Sequence, residues 1–182
     1  MHHLLRLAFL TLAALLAGCT QVVFVEPVGA VAGKEAVQAI PGKWTGEKGM
    51  EWTVVATEEP ATFVATAMDG EKKQEYRFQL RVVGKACHLI WVDDPKAKTV
   101  APFRVSGGDD SVVLITPDEE AVKAMVEQGK LTGQYDKDKK VWVIAKGDWA
   151  AILESKEFWK LDSMMPFMRV VPGKGEEPAA KP

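Results

Sequence analysis

The stretch 75–83 constrains this chain more than any other. Tyr76, Phe78, Leu80 and Val82 alternate with Glu75, Arg77, Gln79 and Arg81. Successive side chains of a strand point to opposite faces, so period-two alternation sets the apolar four against a core and the polar four toward water. Similar segments flank it. Residues 51–57 and 62–68 are rich in β-branched and aromatic side chains, with Pro60 between them. Asp69-Gly70 supplies a hairpin turn into the alternating stretch. Gly84-Lys85 turns the chain into 86–92, which Asp93-Asp94-Pro95 ends. Residues 100–106 and 111–116 form a further hairpin across Gly107-Gly108-Asp109-Asp110.

The period changes after that hairpin. Thr116-Pro117-Asp118-Glu119 places Thr at an N-cap, Pro at the first helical position and Glu three residues after the cap. Ala121, Val122, Met125 and Val126 then share one stripe, and Gly129 ends the helix. Residues 141–145 return to strand. Gly147-Asp148 caps a second short helix over 149–154, with Trp149, Ile152 and Leu153 on its apolar side. Residues 159–162 and 167–171 read as final short strands. The expected fold is mainly β: an antiparallel meander of about eight short strands forming a small barrel, with two short helices in the C-terminal half. Pro41-Gly42 marks its start, so the barrel domain is expected over 41–172. Residues 173–182 offer nothing to bury and are expected to form a disordered tail.

The N-terminus carries a different pattern. His2, His3 and Arg6 precede an apolar run over 7–16, broken only by Thr11, and Leu16-Ala17-Gly18-Cys19 closes it. The run is short of the about 20 residues a transmembrane helix needs, so it reads as an export signal. Residues 16–19 resemble the lipobox of bacterial lipoproteins. The resemblance implies cleavage between Gly18 and Cys19, a diacylglycerol on the Cys19 thiol and a fatty acyl group, such as palmitate, on the new amine. Each buried methylene contributes about 0.8 kcal/mol, so two or three chains make a firm membrane anchor. Residues 1–18 are then the signal peptide and 19–40 the lipidated cysteine and a tether, with a short strand possible at 22–25. Thr20, where an Asp would signal inner-membrane retention, implies the outer membrane of the bacterial cell envelope, on its periplasmic face.

Two further resemblances concern the fold. Gly42-Lys43-Trp44 resembles the Gly-x-Trp that opens lipocalins, where the Trp closes one end of an eight-stranded barrel and stacks on an Arg near the chain end; Arg169 is placed for that part. A longer likeness runs over 42–162. It takes in Gly42-Lys43-Trp44, the strands through Phe78 and Leu89, and Phe103-Arg104-Val105. It continues through Leu114-Ile115-Thr116-Pro117-Asp118 into a helix, and Val143-Ile144-Ala145 into 149–153. This order resembles a family of uncharacterised bacterial lipoproteins with a lipocalin-like β-barrel, which often carries His where Pro102 stands. It implies location and fold and lends no catalytic residue.

Little in the rest points to chemistry. Loss of residues 1–18 removes only Arg6 among the charged residues, leaving 22 basic against 25 acidic, without the basic excess a nucleic-acid partner requires. Cys87 is the one cysteine after Cys19 and is expected as a small buried apolar residue. His88 is the one histidine after residue 3, poor material for a metal centre, so neither metal nor cofactor is expected. Cys87 and His88 are neighbours, and strand neighbours point apart. The pairs Asp93-Asp94, Asp109-Asp110 and Glu119-Glu120 fall at turns or a helix start, and Asp136–Lys140 reads as a solvated hairpin loop.

Met164-Met165-Pro166-Phe167-Met168 is the unusual cluster. Flexible methionines fill gaps in a core or suit varied apolar partners. Tyr76, Phe78 and Leu80 with Met164, Met165, Phe167 and Met168 are therefore the candidate surface for an apolar ligand or an envelope protein partner. The favoured reading is a non-enzymatic binding or structural module. The alternative is a lipocalin-type carrier of a small apolar ligand, and an envelope hydrolase stands third. The bulk of Tyr76, Phe78, Leu80 and Val82 favours a filled barrel. Replacing Cys19→Ser is expected to abolish metabolic incorporation of labelled palmitate and to shift the chain out of the membrane fraction.

Overall fold

The computed structural model describes residues 22–69, 72–84, 87–94 and 98–170. The expected signal peptide 1–18, the lipidation site at Cys19 and the expected tail 173–182 lie outside the described residues. The strands are β1 (Val22–Phe24), β2 (Ala30–Val31), β3 (Gly42–Thr45), β4 (Glu51–Ala56), β5 (Thr62–Asp69) and β6 (Lys72–Val83). They continue with β7 (Cys87–Asp94), β8 (Thr99–Gly107), β9 (Ser111–Pro117), β10 (Leu131–Asp136), β11 (Val141–Gly147) and β12 (Trp159–Arg169). The helices are α1 (Lys34–Gln38), α2 (Glu119–Glu127) and α3 (Trp149–Glu154).

β3 to β9 form an antiparallel meander, and β12 closes it by pairing with both β9 and β3. The result is a closed antiparallel barrel of eight strands in a mainly β chain. Its register follows the alternation of β6. Phe78 pairs with Phe63 on one side and Val92 on the other, and Leu80 pairs with Ile90. All these side chains join the inner core, whereas Arg77, Gln79 and Arg81 face outward. Arg77 there forms ion pairs with Glu59 and, at 3.5 Å, with Asp93.

A second layer covers part of the barrel wall. α2, β10, β11 and α3 lie between β9 and β12 in the chain. β11 pairs antiparallel with β10 and parallel with β1, and β1 meets β8 where Phe24 faces Val100. β8 therefore serves three neighbours: β7 along most of its length, β9 over Arg104–Gly107 and β1 at Val100. The outward residues Leu89 and Trp91 of β7 pack in an outer core with Phe24, Ile144, Leu153 and Phe158. Each wall strand there alternates between two cores rather than between core and water.

Four expectations need correction. The tether is part of the fold from Val22 onward: Val22 and Phe24 are buried in the outer core, Ala30 pairs with Val82, and Ala32 is buried in the inner core. Its Ala, Gly and Val content suits a linker, but its apolar side chains fill space that both cores leave open. β11 is not a barrel strand; it belongs to the outer layer with β10, a strand that the expected meander does not include. The two final short strands are one strand, β12, with a register shift between Trp159 and Met164. Asp118, not Thr116, caps α2: its side chain accepts from the Ala121 N–H at 3.0 Å. The Asp118 N–H donates to the Phe158 carbonyl at 2.8 Å, which keeps the chain extended through Pro117. Gly129, at φ 70°, ends this helix as expected.

Phe24 joins the layers. Its ring meets Trp91 at 5.1 Å and 81°, Trp149 at 5.0 Å and Phe158 at 6.5 Å. Phe24→Ala is expected to cost about 3–5 kcal/mol in denaturant unfolding. Val25, next in sequence and 48% exposed, is the control: Val25→Ala is expected to stay within about 0.5 kcal/mol of the parent.

Candidate functional site

The barrel interior holds an apolar pocket. It is lined from β3 and β4 by Trp44, Trp52 and Val54, from β5 by Ala65, and from β6 by Tyr76 and Phe78. Ile90 and Val92 of β7, Val112 and Leu114 of β9, Phe167 of β12 and Ile40 before β3 complete it. Register explains the space. Ala65 faces Val54 across one ladder and Tyr76 across the next, so a methyl group stands where its neighbours carry bulk. Ala67 likewise faces Trp52. The centre of a water-sized sphere can move through about 110 Å³ of the pocket. For scale, an engineered apolar cavity of about 150 Å³ stays dry and binds benzene.

One end of the barrel is closed by a latch. α1 lies over the end where β3 begins and β6 finishes, with Ala36, Val37 and Ile40 against the inner core. The Trp44 indole N–H donates to the Ile40 carbonyl at 3.0 Å. The Arg169 guanidinium sits 4.4 Å above the Trp44 ring, a cation–π contact. It also donates to the carbonyls of Pro41 at 2.9 Å, Asp109 at 2.7 Å and Ala39. Gly42 makes room for it: φ is 140°, and a Cβ there would lie 2.6 Å from Arg169 Nη1. The expected stacking of Arg169 on Trp44 is therefore present.

The polar atoms near the pocket are few. The Tyr76 hydroxyl reaches Gln74 Oε1 at 3.4 Å, and the Tyr76 and Trp52 rings lie 5.7 Å apart. Burial pushes the Tyr76 hydroxyl above its ordinary pKa, so it stays a neutral phenol. The Trp52 indole nitrogen lies beside Gly46, at the β3–β4 turn; a Cβ on Gly46 would come within 3.5 Å of it. Among the described residues, no charged side chain lines the pocket.

The expected candidates divide. Tyr76, Phe78 and Phe167 line the pocket. Leu80 and Met165 belong to the inner core without lining it. Met164 and Met168 point outward from β12, 52% and 56% exposed, with exposed Pro166 between them. The Met cluster is thus split by strand alternation. Trp52 and Val54 were within reach of the sequence, since they alternate with Glu51 and Thr53. Ala65 carried no signal, because register alone sets it among large side chains.

Cys87 and His88 point apart as expected. Cys87 is buried in the outer core, and its thiol donates to the Leu153 carbonyl at 3.2 Å. Burial raises its pKa, with a smaller rise from Glu154 opposed by Arg104, so the thiol keeps its proton. His88 is half-buried and pairs with Val82. Among the described residues, no group of three or more His, Cys, Asp or Glu is placed to hold a metal ion. Comparison with known protein families, curated proteins and solved structures finds no match for this chain.

Arg169→Ala removes the stacked cation and leaves three carbonyls without their donor. It is expected to lower unfolding stability by about 2–3 kcal/mol. Arg169→Lys is expected to recover less than half of this in chemical denaturation, because an ammonium lacks the planar fork that reaches separate carbonyls.

Proposed function

We propose that the protein is a non-enzymatic binding protein of the bacterial envelope, anchored through a lipidated Cys19, whose barrel takes a small apolar ligand. The anchor rests on Leu16-Ala17-Gly18-Cys19 following a short apolar run. The binding role rests on one observation: the inner core leaves an apolar, aromatic-walled pocket of about 110 Å³ inside the barrel. Pockets of this kind bind by burying ligand surface, and their few polar groups supply orientation. The observation favours the carrier over a purely structural module. Exposed Met164, Pro166 and Met168 on β12 favour a second reading, an envelope protein partner held on the outside of the barrel.

The test fills the pocket. Bromobenzene quenches indole fluorescence on contact, and Trp44 and Trp52 both line the site. The domain is expected to show saturable quenching by bromobenzene. Ala65→Phe is expected to weaken it at least tenfold while the unfolding midpoint stays near that of the parent, with Ala65→Leu as a gentler filling. Quenching that rises linearly without saturation, equal in the parent and both variants, would overturn the reading.

A further inference from the structure

We infer that the β10–β11 hairpin lies on the membrane surface beside the lipid anchor, with Tyr135 and Trp142 at head-group depth and Lys137, Lys139 and Lys140 on anionic phosphates. This rests on the anchor at Cys19 proposed above and is independent of the pocket. Chain length sets the first constraint. The first described strand starts at Val22, three residues after Cys19. Three residues reach at most about 11 Å, so an anchored domain has no tether on which to stand off from the bilayer. Whatever lies beside the start of β1 then lies at the membrane. Register says what that is. β1 runs parallel to β11 and Val22 pairs with Trp142, so the two strands start at the same end. β11 starts directly after the turn 137–140, and Val141 pairs back to Asp136. The hairpin tip is therefore the neighbour of the anchor.

The tip has the chemistry that a lipid surface requires. Lys137, Lys139 and Lys140 are all exposed. Asp136 is turned into the hairpin, where its Oδ1 accepts from the N–H groups of Asp138 at 3.0 Å and Lys139 at 3.1 Å. Its Oδ2 lies 3.9 Å from Lys139 Nζ, an exposed ion pair that a phosphate can replace at little cost. At the base of the tip Tyr135 is 41% exposed, and its ring stands 5.4 Å from that of Trp142. Trp142 is packed against the outer core and gives Tyr135 a fixed support. Tyr and Trp favour the head-group layer, because each has an apolar ring and a polar tip. Charge orients the chain as well. Removing the three lysines and two aspartates of 136–140 takes the mature count from 22 basic and 25 acidic to 19 and 23. An anionic surface thus attracts the tip and repels the remainder.

The test footprints lysines on the full mature chain, purified from membranes and placed in vesicles. Acetylation by uncharged N-acetoxysuccinimide is followed at each lysine by mass spectrometry. Vesicles of phosphatidylcholine are compared with vesicles containing about one-third phosphatidylglycerol. Lys137, Lys139 and Lys140 are expected to react about fivefold more slowly on the anionic vesicles, and about 0.5 M salt is expected to remove the difference. Lys130, just before β10 and about 20 Å from the tip by strand length, is the control and is expected to change less than about twofold. Lys139→Gln with Lys140→Gln keeps Lys137 as a reporter, whose protection is expected to fall by at least about half. Equal slowing at Lys130 and at the tip, or unchanged protection of Lys137 in the double variant, overturns the inference. Protection that is equal on both vesicles and rises with protein density assigns the tip to a second copy of the chain and overturns it too. The intact mass separates the two readings. If the purified chain carries no lipid, the anchor falls and the inference with it. If it carries lipid and the tip is unprotected, the inference alone falls.

Discussion

The wall formed by β7 and β8 is buried on both faces, and the rest of the structure depends on it. Ile90 and Phe103 turn into the barrel, while Leu89 and Trp91 turn outward beneath the second layer. An antiparallel sheet ordinarily leaves one face to water. Here the outward face needs a cover, and β1, β11, α3 and the segment through Phe158 supply it. Phe24 does so with three aromatic neighbours at once. This explains why so short a strand as β1 is held: side-chain burial fixes it where its few backbone pairs could not.

The inner face obeys a different rule. β6 alternates apolar with charged or amide side chains, so a slip of one residue would bring Arg77 and Arg81 inside. That penalty sets the register of β6 against β5 and β7, and the register places Ala65 and Ala67 among Trp52, Val54 and Tyr76. The pocket is thus a by-product of register and small residues. At its closed end Gly42, Trp44 and Arg169 act as one unit, because the glycine admits the guanidinium that the indole and three carbonyls hold.

Much of this was legible in the sequence. The alternation of 75–83, the turn residues at Asp69-Gly70 and Gly107–Asp110, and the change of period after Thr116 each predicted an element that is present. These signals are local: a strand face or a helix cap is decided within a few residues. Tyr76 and Phe78 could be named as candidates for the same reason, and Phe167 through the Met cluster it sits in. Of the Met cluster, alternation sends Met164 and Met168 outward and Met165 inward, a division that the residue types alone did not show.

The sequence by itself determined a β-rich chain, its strand faces, its two C-terminal helices and the Gly-x-Trp with its distant Arg. Only the tertiary structure decided that 22–38 joins the fold, that β11 leaves the barrel for an outer layer, and that β12 runs unbroken between β9 and β3. Those outcomes depend on contacts between residues far apart in the chain. Arg169 pairs with Trp44, and Val22 with Trp142. Such contacts form because burying the apolar residues of two cores outweighs local preference, and no window of neighbouring residues contains both partners.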